Sequence, residues 1–198
     1  VLEECPLPLD DAQAVIRIGL ETGGHPRIYR DDRVYVTHVI EEDEGYARRT
    51  GSIMEAVGDL RAFLSGTGRA PLKIINLMPN LESVPVIFEK SRRFFGERVY
   101  ITQSLVTFVE YMHPDATKGK GLKKLAARWG IPKEEILVAG DHFNDLTMFE
   151  EAGFSIAPQN AQAIVRDAAS CVCLSNAEDG VVKKLSEIFE VARDGHSG

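Results

Sequence analysis

Apolar and polar positions follow two different patterns along the chain, and the change between them divides it. From about Leu7 to Met112, helical stripes and short strand-like runs appear in mixed order. From about His113 to Leu185, apolar runs and amphipathic helical segments alternate regularly, which is typical of parallel βα units. We therefore predict an α+β domain over residues 1–112 and an α/β domain with a parallel sheet over residues 113–198.

The first region predicts a sheet covered by helices. Helices are expected at residues 10–21, 46–49, 54–64 and 81–95, and strands at residues 72–78, 99–103 and 108–112. Asp31 and Asp32 separate two short strand-like runs, which indicates a hairpin turn, and Asp10 is expected to cap the first helix. The mixture suggests an open-faced antiparallel sheet with helices on one side.

The second region predicts buried strands at residues 136–139, 154–157 and 171–174, and a last helix at residues 179–192 before a polar tail. Leu122, Leu125, Ala126 and Trp129 have helical spacing, so we expect them all to pack in the core. Asn160 could cap the helix at residues 161–168 or reach a functional site, and capping is favoured.

A candidate metal site lies directly behind the apolar strand at residues 136–139. Asp141, Asn144 and Asp145 follow that strand, and ligands of parallel sheets collect at the carboxyl ends of strands. Their oxygen atoms are ligands of the kind that magnesium prefers, and the helix beginning near Asn144 points free N–H groups toward any bound anion. The alternative is that Asp141 or Asn144 only caps the following helix.

A second element raises the odds of a phosphate site. Lys118 stands at the start of a predicted helix after the strand at residues 108–112, where its ammonium can meet a phosphate as a point charge. A merely solvated lysine in that position would be unfavourable against the helix dipole.

Composition agrees with an ordinary globular protein. The 198 residues are 44% hydrophobic, enough for one sizeable core or two small ones. A net charge of −7 argues against a nucleic-acid surface, which needs clustered Lys and Arg. No apolar run reaches the roughly 18 residues that span a bilayer, and no signal peptide is recognisable. We expect a cytoplasmic location and neither a nucleic-acid nor a membrane partner.

Two residue clusters have a structural interpretation that we prefer to a functional one. The acidic run Glu41–Glu44 is expected to be a solvated loop, because neighbouring carboxylates on a loop lack the fixed geometry of a metal site. Cys5, Cys171 and Cys173 lack zinc spacing, so we expect buried apolar thiols in a reducing compartment.

From Val99 onward the chain resembles the Cof-type, cap-bearing phosphatases of the haloacid dehalogenase superfamily. Those proteins share an E-I-x-P strand end, a lysine-glycine pair, a GDxxND loop, an A-x-x-N-A segment and a late N-x-E-D-G-V. The corresponding segments here, in the same order, are Glu110–Pro114, Lys118–Gly119, Gly140–Asp145, Ala157–Ala161 and Asn176–Val181. Before Val99 only the order of elements resembles the family's cap domain.

The resemblance implies a fold, a cofactor and a set of roles. The fold would be a cap domain followed by the distal half of a haloacid dehalogenase-like Rossmannoid core, and the cofactor would be Mg²⁺. Asp141 would ligate magnesium directly, and Asp145 directly or through water. Lys118 would neutralise the nucleophile and the phosphate, and Asn144 would donate hydrogen bonds to phosphoryl oxygens. The substrate would be a small phosphorylated metabolite.

The family's nucleophile motif, D-x-D-G-T after an apolar strand, is absent from this sequence. Asp10 and Asp31 have the wrong context, the first opening a helix and the second a turn. We therefore expect a piece of a longer protein, with on the order of 60 to 90 further N-terminal residues, roughly two βαβ units, carrying the nucleophile.

Three hypotheses about function remain open at this point. The favoured one is a magnesium-dependent phosphatase, of which this chain alone is inactive. The alternatives are a sister sugar-phosphate phosphatase or phosphomutase, and a non-catalytic binding or assembly module. Without a neighbouring strand, residues 136–139 would form an apolar sheet edge, so the isolated chain is expected to self-associate.

Overall fold

A computed structural model describes residues 3–194 of the chain. These residues form two compact units that meet between Thr117 and Lys118 in the sequence. The division falls slightly after the boundary predicted at Met112. No helix within the described residues is both long enough and apolar enough to cross a bilayer. Of the predicted polar tail, residues 195–198 lie outside the described part.

The first unit is a six-stranded sheet with four helices among its described residues. The helices are α1 (Leu9–Glu21), α2 (Glu41–Thr50), α3 (Leu60–Thr67) and α4 (Ser83–Phe95). The strands are β1 (His25–Arg30), β2 (Arg33–Val36), β3 (Ile53–Ala56), β4 (Lys73–Leu77), β5 (Tyr100–Leu105) and β6 (Phe108–Met112). Their order across the sheet is β3-β2-β1-β4-β6-β5, antiparallel except for the parallel pair β2 and β3.

The main core of this unit lies between one sheet face and three helices. Ile28, Ile74 and Val109 from adjacent strands pack together with buried side chains of α1, α3 and α4. The next residues along the strands point to the opposite face, where Ile75 and Phe108 form a smaller cluster with Tyr46 of α2. The predicted helical layer on one side is therefore present, and α2 adds partial cover to the other face.

The structure confirms one predicted turn of the first unit and contradicts one predicted helix cap. The hairpin turn is confirmed, because Asp31 and Asp32 both adopt positive φ, 55° and 56°, between antiparallel β1 and β2. The prediction that Asp10 caps α1 is wrong. Pro8 occupies the N-cap, and Asp10 lies in the first turn, where a carboxylate interacts favourably with the helix dipole.

The predicted helix at residues 54–64 is wrong in its first half. Ile53–Ala56 forms β3, which pairs with β2 in parallel register. The helix begins only at Leu60 because Asp59 caps it: the Asp59 carboxylate accepts the backbone N–H groups of Arg61 and Ala62 at 2.8 and 3.1 Å.

The acidic run Glu41–Glu44 is not a solvated loop, so that prediction is wrong. It forms the first turn of α2, and Asp43 within it is fully buried. Burial alone would raise the pKa of Asp43, but hydrogen bonds from His25 and the Ile40 backbone, with the charge of Arg27, lower it. Asp43 is thus the residue that attaches α2 to the sheet.

The second unit alternates strands and helices around a parallel sheet, as predicted. Its helices are α5 (Lys118–Trp129), α6 (Leu146–Glu151), α7 (Ala163–Ala168) and α8 (Gly180–Asp194), and its strands are β7 (Leu137–Ala139), β8 (Phe154–Pro158) and β9 (Cys171–Cys173). The strand order is β7-β8-β9. In the described part of the chain β7 is therefore an edge strand.

Several side chains that we expected in the core of this unit are exposed. Trp129 is 64% exposed, although Ala126 of the same stripe is buried. Val172 and Leu174 in and after β9 are 49% and 46% exposed, so β9 is not the buried strand that its composition indicates. Apolar spacing identifies one face of an element, but it does not show how far the layer packed against that face extends.

The three cysteines are free thiols of intermediate burial, not fully buried apolar residues as predicted. Cys171 and Cys173 lie two positions apart in β9, and successive side chains of a strand alternate between faces, so both thiols lie on one face. Burial raises the pKa of Cys173, and the neighbouring thiol of Cys171 adds to this effect. The thiolate of Cys173 is therefore disfavoured.

Helix α5 contains two glycines, Gly119 and Gly121, and only Gly119 lies close to the segment after β7. A Cβ at Gly119 would lie 2.0 Å from the carbonyl oxygen of Thr147, whereas a Cβ at Gly121 would meet nothing within 4 Å. We expect Gly119→Ala to lower the free energy of unfolding by about 1–3 kcal/mol, and Gly121→Ala to leave it unchanged or raise it by ~0.5–1 kcal/mol. Urea unfolding followed by circular dichroism measures both, and equal effects of the two substitutions would contradict the close packing.

Candidate active site

The candidate site begins where β7 ends and is shaped by a glycine. Gly140 directly follows β7, and a Cβ at this position would lie 2.4 Å from the Cβ of Asp145. Any larger residue would push Asp145 away, so the absence of a side chain at Gly140 lets the loop at residues 141–145 fold back on the end of the strand. The loop continues through a short 3₁₀ turn, Phe143–Asp145, into α6.

Asp145 is the centre of this loop. Asp145 is only 4% exposed. Its Oδ2 accepts hydrogen bonds from the backbone N–H groups of Asp141 at 3.0 Å and His142 at 3.1 Å. Its Oδ1 accepts a hydrogen bond from Lys118 Nζ. Three donors from two segments therefore converge on one carboxylate, which fixes the loop and the start of α5 together.

The electrostatics of Asp145 follow from these contacts. Burial opposes its ionisation, but the hydrogen bond from Lys118 and those from the His142 and Asp141 backbone lower its pKa from the usual value. The charged carboxylate thus contributes stability above the unfolded-state pKa of about 3.9. That contribution is lost as the pH falls through the lower pKa of the folded state.

The structure brings Lys118 and Asp145 together, a pairing that the sequence pattern did not predict. Lys118 is the first residue of α5, its side chain is 49% exposed, and its ammonium forms the ion pair with Asp145. An ammonium has three donors, so binding to Asp145 does not exhaust its capacity to meet an anion. The half-exposed position keeps it accessible to a ligand.

Asp141 and Asn144 complete the set of predicted residues. Asp141 is exposed at the carboxyl end of β7, with its backbone N–H fixed by Asp145. Asn144 is half-buried, and its Oδ1 is buried without a hydrogen-bond partner among the described residues. Leaving a buried amide oxygen without a hydrogen bond costs free energy.

The residues present fit one part of a magnesium site. Magnesium is usually held by one or two carboxylates and keeps several waters, and the exposed Asp141 matches such a ligand. Both oxygens of Asp145 are already engaged by donors. Within residues 3–194, no group of three or more His, Cys, Asp or Glu is placed to hold a metal ion.

Three neighbouring residues that we did not predict position this site. Thr147 Oγ1 accepts the backbone N–H of Gly119 at 3.0 Å and so ties α5 to α6 next to Lys118. Gln162 Nε2 lies 3.3 Å from His142 Nδ1, and the Gln162 backbone N–H donates to the carbonyl of Asp141. His142 and Thr147 could have been suspected only because they lie in or next to the loop at residues 141–145. No feature of the sequence around Gln162 indicates its role.

The prediction that Asn160 caps α7 is wrong. Gln162 occupies the N-cap of α7, without a side-chain cap. The Asn160 Oδ1 instead accepts the backbone N–H of Asn176 at 2.8 Å. Asn160 therefore joins the loop after β8 to the loop after β9, two of the loops at the carboxyl edge of this sheet.

Comparisons with curated proteins find phosphatases. The 5-amino-6-(5-phospho-D-ribitylamino)uracil phosphatase YbjI of Escherichia coli is 35% identical over 109 residues, 55% of this chain and 40% of that protein. The phosphatase of the same name YcsE of Bacillus subtilis is 33% identical over 99 residues, 50% of this chain and 39% of that protein. The matched stretches thus span well under two thirds of these relatives.

Solved structures show the same fold. TM0651 from Thermotoga maritima superposes with a TM-score of 0.70 at 31% identity, over 92% of this chain and 67% of that chain. The subclass IIB sugar phosphatase BT4131 superposes with a TM-score of 0.76 at 17% identity, over 93% of this chain and 68% of that chain.

A family model for haloacid dehalogenase-like hydrolases matches residues 1–185, which is most of the chain. This match and the structural neighbours confirm the resemblance that the motifs from Glu110 to Val181 indicated. The chain belongs to the haloacid dehalogenase-like hydrolases.

Proposed function

We propose that this chain is part of a magnesium-dependent phosphatase that hydrolyses small phosphorylated metabolites, preferentially sugar phosphates. The observation that carries the proposal is the pair of Lys118 and the buried Asp145, set beside the exposed Asp141 at the end of β7. The substrate class is supported by the names of the relatives, a phosphoribitylamino-uracil phosphatase and a sugar phosphatase.

The residues of this chain supply charge and position. Lys118 neutralises the phosphate, and Asn144 orients it by hydrogen bonding. Asp141 would hold the magnesium directly and Asp145 directly or through water, and Asp145 also keeps Lys118 and the loop in place. Magnesium, when bound, would stabilise the negative charge of the phosphoryl oxygens. Positioning and charge stabilisation are most of what phosphoryl transfer requires of a protein.

The reacting carboxyl groups belong to a D-x-D-G-T strand that these 198 residues do not contain. A carboxylate oxygen of the first Asp forms a bond to phosphorus while the bond to the leaving alcohol oxygen breaks, and the second Asp gives that oxygen its proton. Water then attacks the phosphorus of the aspartyl phosphate, which releases inorganic phosphate and restores the carboxylate. The proposal therefore requires a nucleophile from outside this chain.

Substitutions in the natural gene product test these roles. Asp141→Asn and Lys118→Met should each lower the turnover of an aryl phosphate by about 10²-fold or more, because each removes charge that stabilises the transition state. Lys123→Met removes an exposed lysine of the same helix whose partner is the half-buried Glu151, so it serves as the matched control. Steady-state kinetics with and without magnesium give the comparison.

Undiminished turnover in Asp141→Asn or Lys118→Met, with all variants folded by circular dichroism, would overturn the assigned roles. So would full activity after magnesium is removed by a chelator. Equal losses in Lys118→Met and Lys123→Met would show that the loss comes from net charge, not from the contact with Asp145.

We also propose that the chain of 198 residues on its own self-associates through β7, binds magnesium only weakly through Asp141 and Asp145, and has no phosphatase activity. β7 is the edge strand of its sheet in the described residues, and edge strands with apolar side chains and unpaired backbone groups pair with other chains. Ala139, exposed in β7, carries no charge that would discourage such pairing.

Sedimentation velocity measures this association. Ala139→Lys places a charge on the edge and should shift the chain toward monomer, whereas Ala127→Lys adds the same charge on the exposed face of α5 and should not. A monomeric chain with magnesium-dependent turnover would contradict the proposal.

A further inference from the structure

The first unit contains a buried arginine whose charge the fold only partly satisfies. Arg27 of β1 is fully buried, and its guanidinium lies over the rings of Tyr46 and Phe108, 5.3 and 5.2 Å from their centroids. Both Nη atoms are buried without a hydrogen-bond partner among the described residues. Buried guanidinium groups are normally paired through their fork of donors, so Arg27 has unused capacity to bind an anion.

The charge of Arg27 is balanced by one carboxylate from α2. Asp43 Oδ1 lies 2.6 Å from Arg27 Nε, an ion pair that leaves the two Nη atoms unused. Asp43 Oδ2 lies 2.9 Å from His25 Nε2 and accepts the Ile40 backbone N–H at 3.1 Å. His25 is the most exposed member of this cluster, with 11% of its side chain exposed.

The helix that carries Asp43 has little else to hold it. Asp43 is the one fully buried residue of α2, and Tyr46, Gly45 and Ala47 are half-buried. The exposed residues of the helix are Glu41, Glu42, Glu44, Arg48, Arg49 and Thr50. A helix without an apolar stripe gains little from burial, so its position depends on the contacts of Asp43 and Tyr46.

We propose that Arg27 and His25 form a phosphate-binding recess of the first unit and that Asp43 occupies it as an internal carboxylate. The phosphate group of a small molecule would replace Asp43, and α2 would leave the sheet as it does so. Phosphate suits the recess because two of its oxygens can meet the guanidinium fork, whose Nη atoms have no hydrogen-bond partner among the described residues. The tethered carboxylate competes with phosphate for the recess, so its removal should tighten phosphate binding.

Removing the internal carboxylate should reveal the recess. The probe is inorganic phosphate, with acetate at equal ionic strength as the carboxylate arm, and the reporter is the His25 ring resonance in NMR spectra of the chain at constant pH. Asp43→Asn keeps the side-chain shape and should bind phosphate about tenfold more tightly than the wild type, ~1.4 kcal/mol. Acetate should bind more weakly than phosphate.

Matched variants show whether the tighter phosphate binding comes from the loss of Asp43 itself or from a change in net charge. Glu42→Gln makes the same charge change on an exposed position of α2 and should leave phosphate binding at the wild-type level. Adding Arg27→Met to Asp43→Asn should abolish the phosphate response of His25. Equal affinity in Asp43→Asn and Glu42→Gln, a response that survives without Arg27, or tighter binding of acetate would each overturn the proposal.

A readout on the wild type keeps the test decisive if Asp43→Asn does not fold. Hydrogen exchange of the α2 amides should accelerate in phosphate relative to sodium chloride of the same ionic strength, because phosphate displaces the helix. The amides of α1, on the other side of the sheet, should show no such difference. Unchanged exchange in α2 would refute the displacement.

Discussion

The candidate site of the second unit depends on the hydrogen bonds that the buried carboxylate of Asp145 accepts. This carboxylate accepts hydrogen bonds from two backbone amides of its own loop and from the ammonium of Lys118. A buried charge is tolerated only when it is paired and hydrogen-bonded. The loss of any one of these donors would therefore weaken the whole arrangement. The same contacts that hold the loop also place Lys118 and the exposed Asp141 at the end of β7.

Two glycines make this arrangement sterically feasible. Gly140 leaves room for the Asp145 side chain, and Gly119 lets α5 approach the backbone of Thr147 so closely that no Cβ would fit. Close packing and electrostatics therefore act on the same few residues. A family member that uses this loop for phosphoryl transfer gains preorganised charge, because the donors are fixed before any ligand binds.

Much of the fold could be predicted, because it depends on local patterns. The hairpin at Asp31 and the strand before Asp141 are set by turn chemistry and by a short apolar run. Asp43 was misjudged because its partner, Arg27, lies on a strand earlier in the chain, and no local pattern shows that pairing. Trp129 was misjudged because helical spacing identifies a face but not the extent of its cover. For the site, the sequence predicts candidate residues, but which aspartate is buried is decided by donors from separate segments.

The central claim is that Asp145 is an ionised, buried carboxylate held by Lys118, and its titration tests that claim most directly. The carboxyl carbon of Asp145 can be followed by ¹³C NMR across acidic pH in the wild type and in Lys118→Met. We predict a pKa below the ordinary aspartate value of about 3.9 in the wild type, and a clear rise in Lys118→Met because the hydrogen bond and charge of Lys118 no longer lower it. An ordinary or raised pKa that does not respond to the loss of Lys118 would contradict the account.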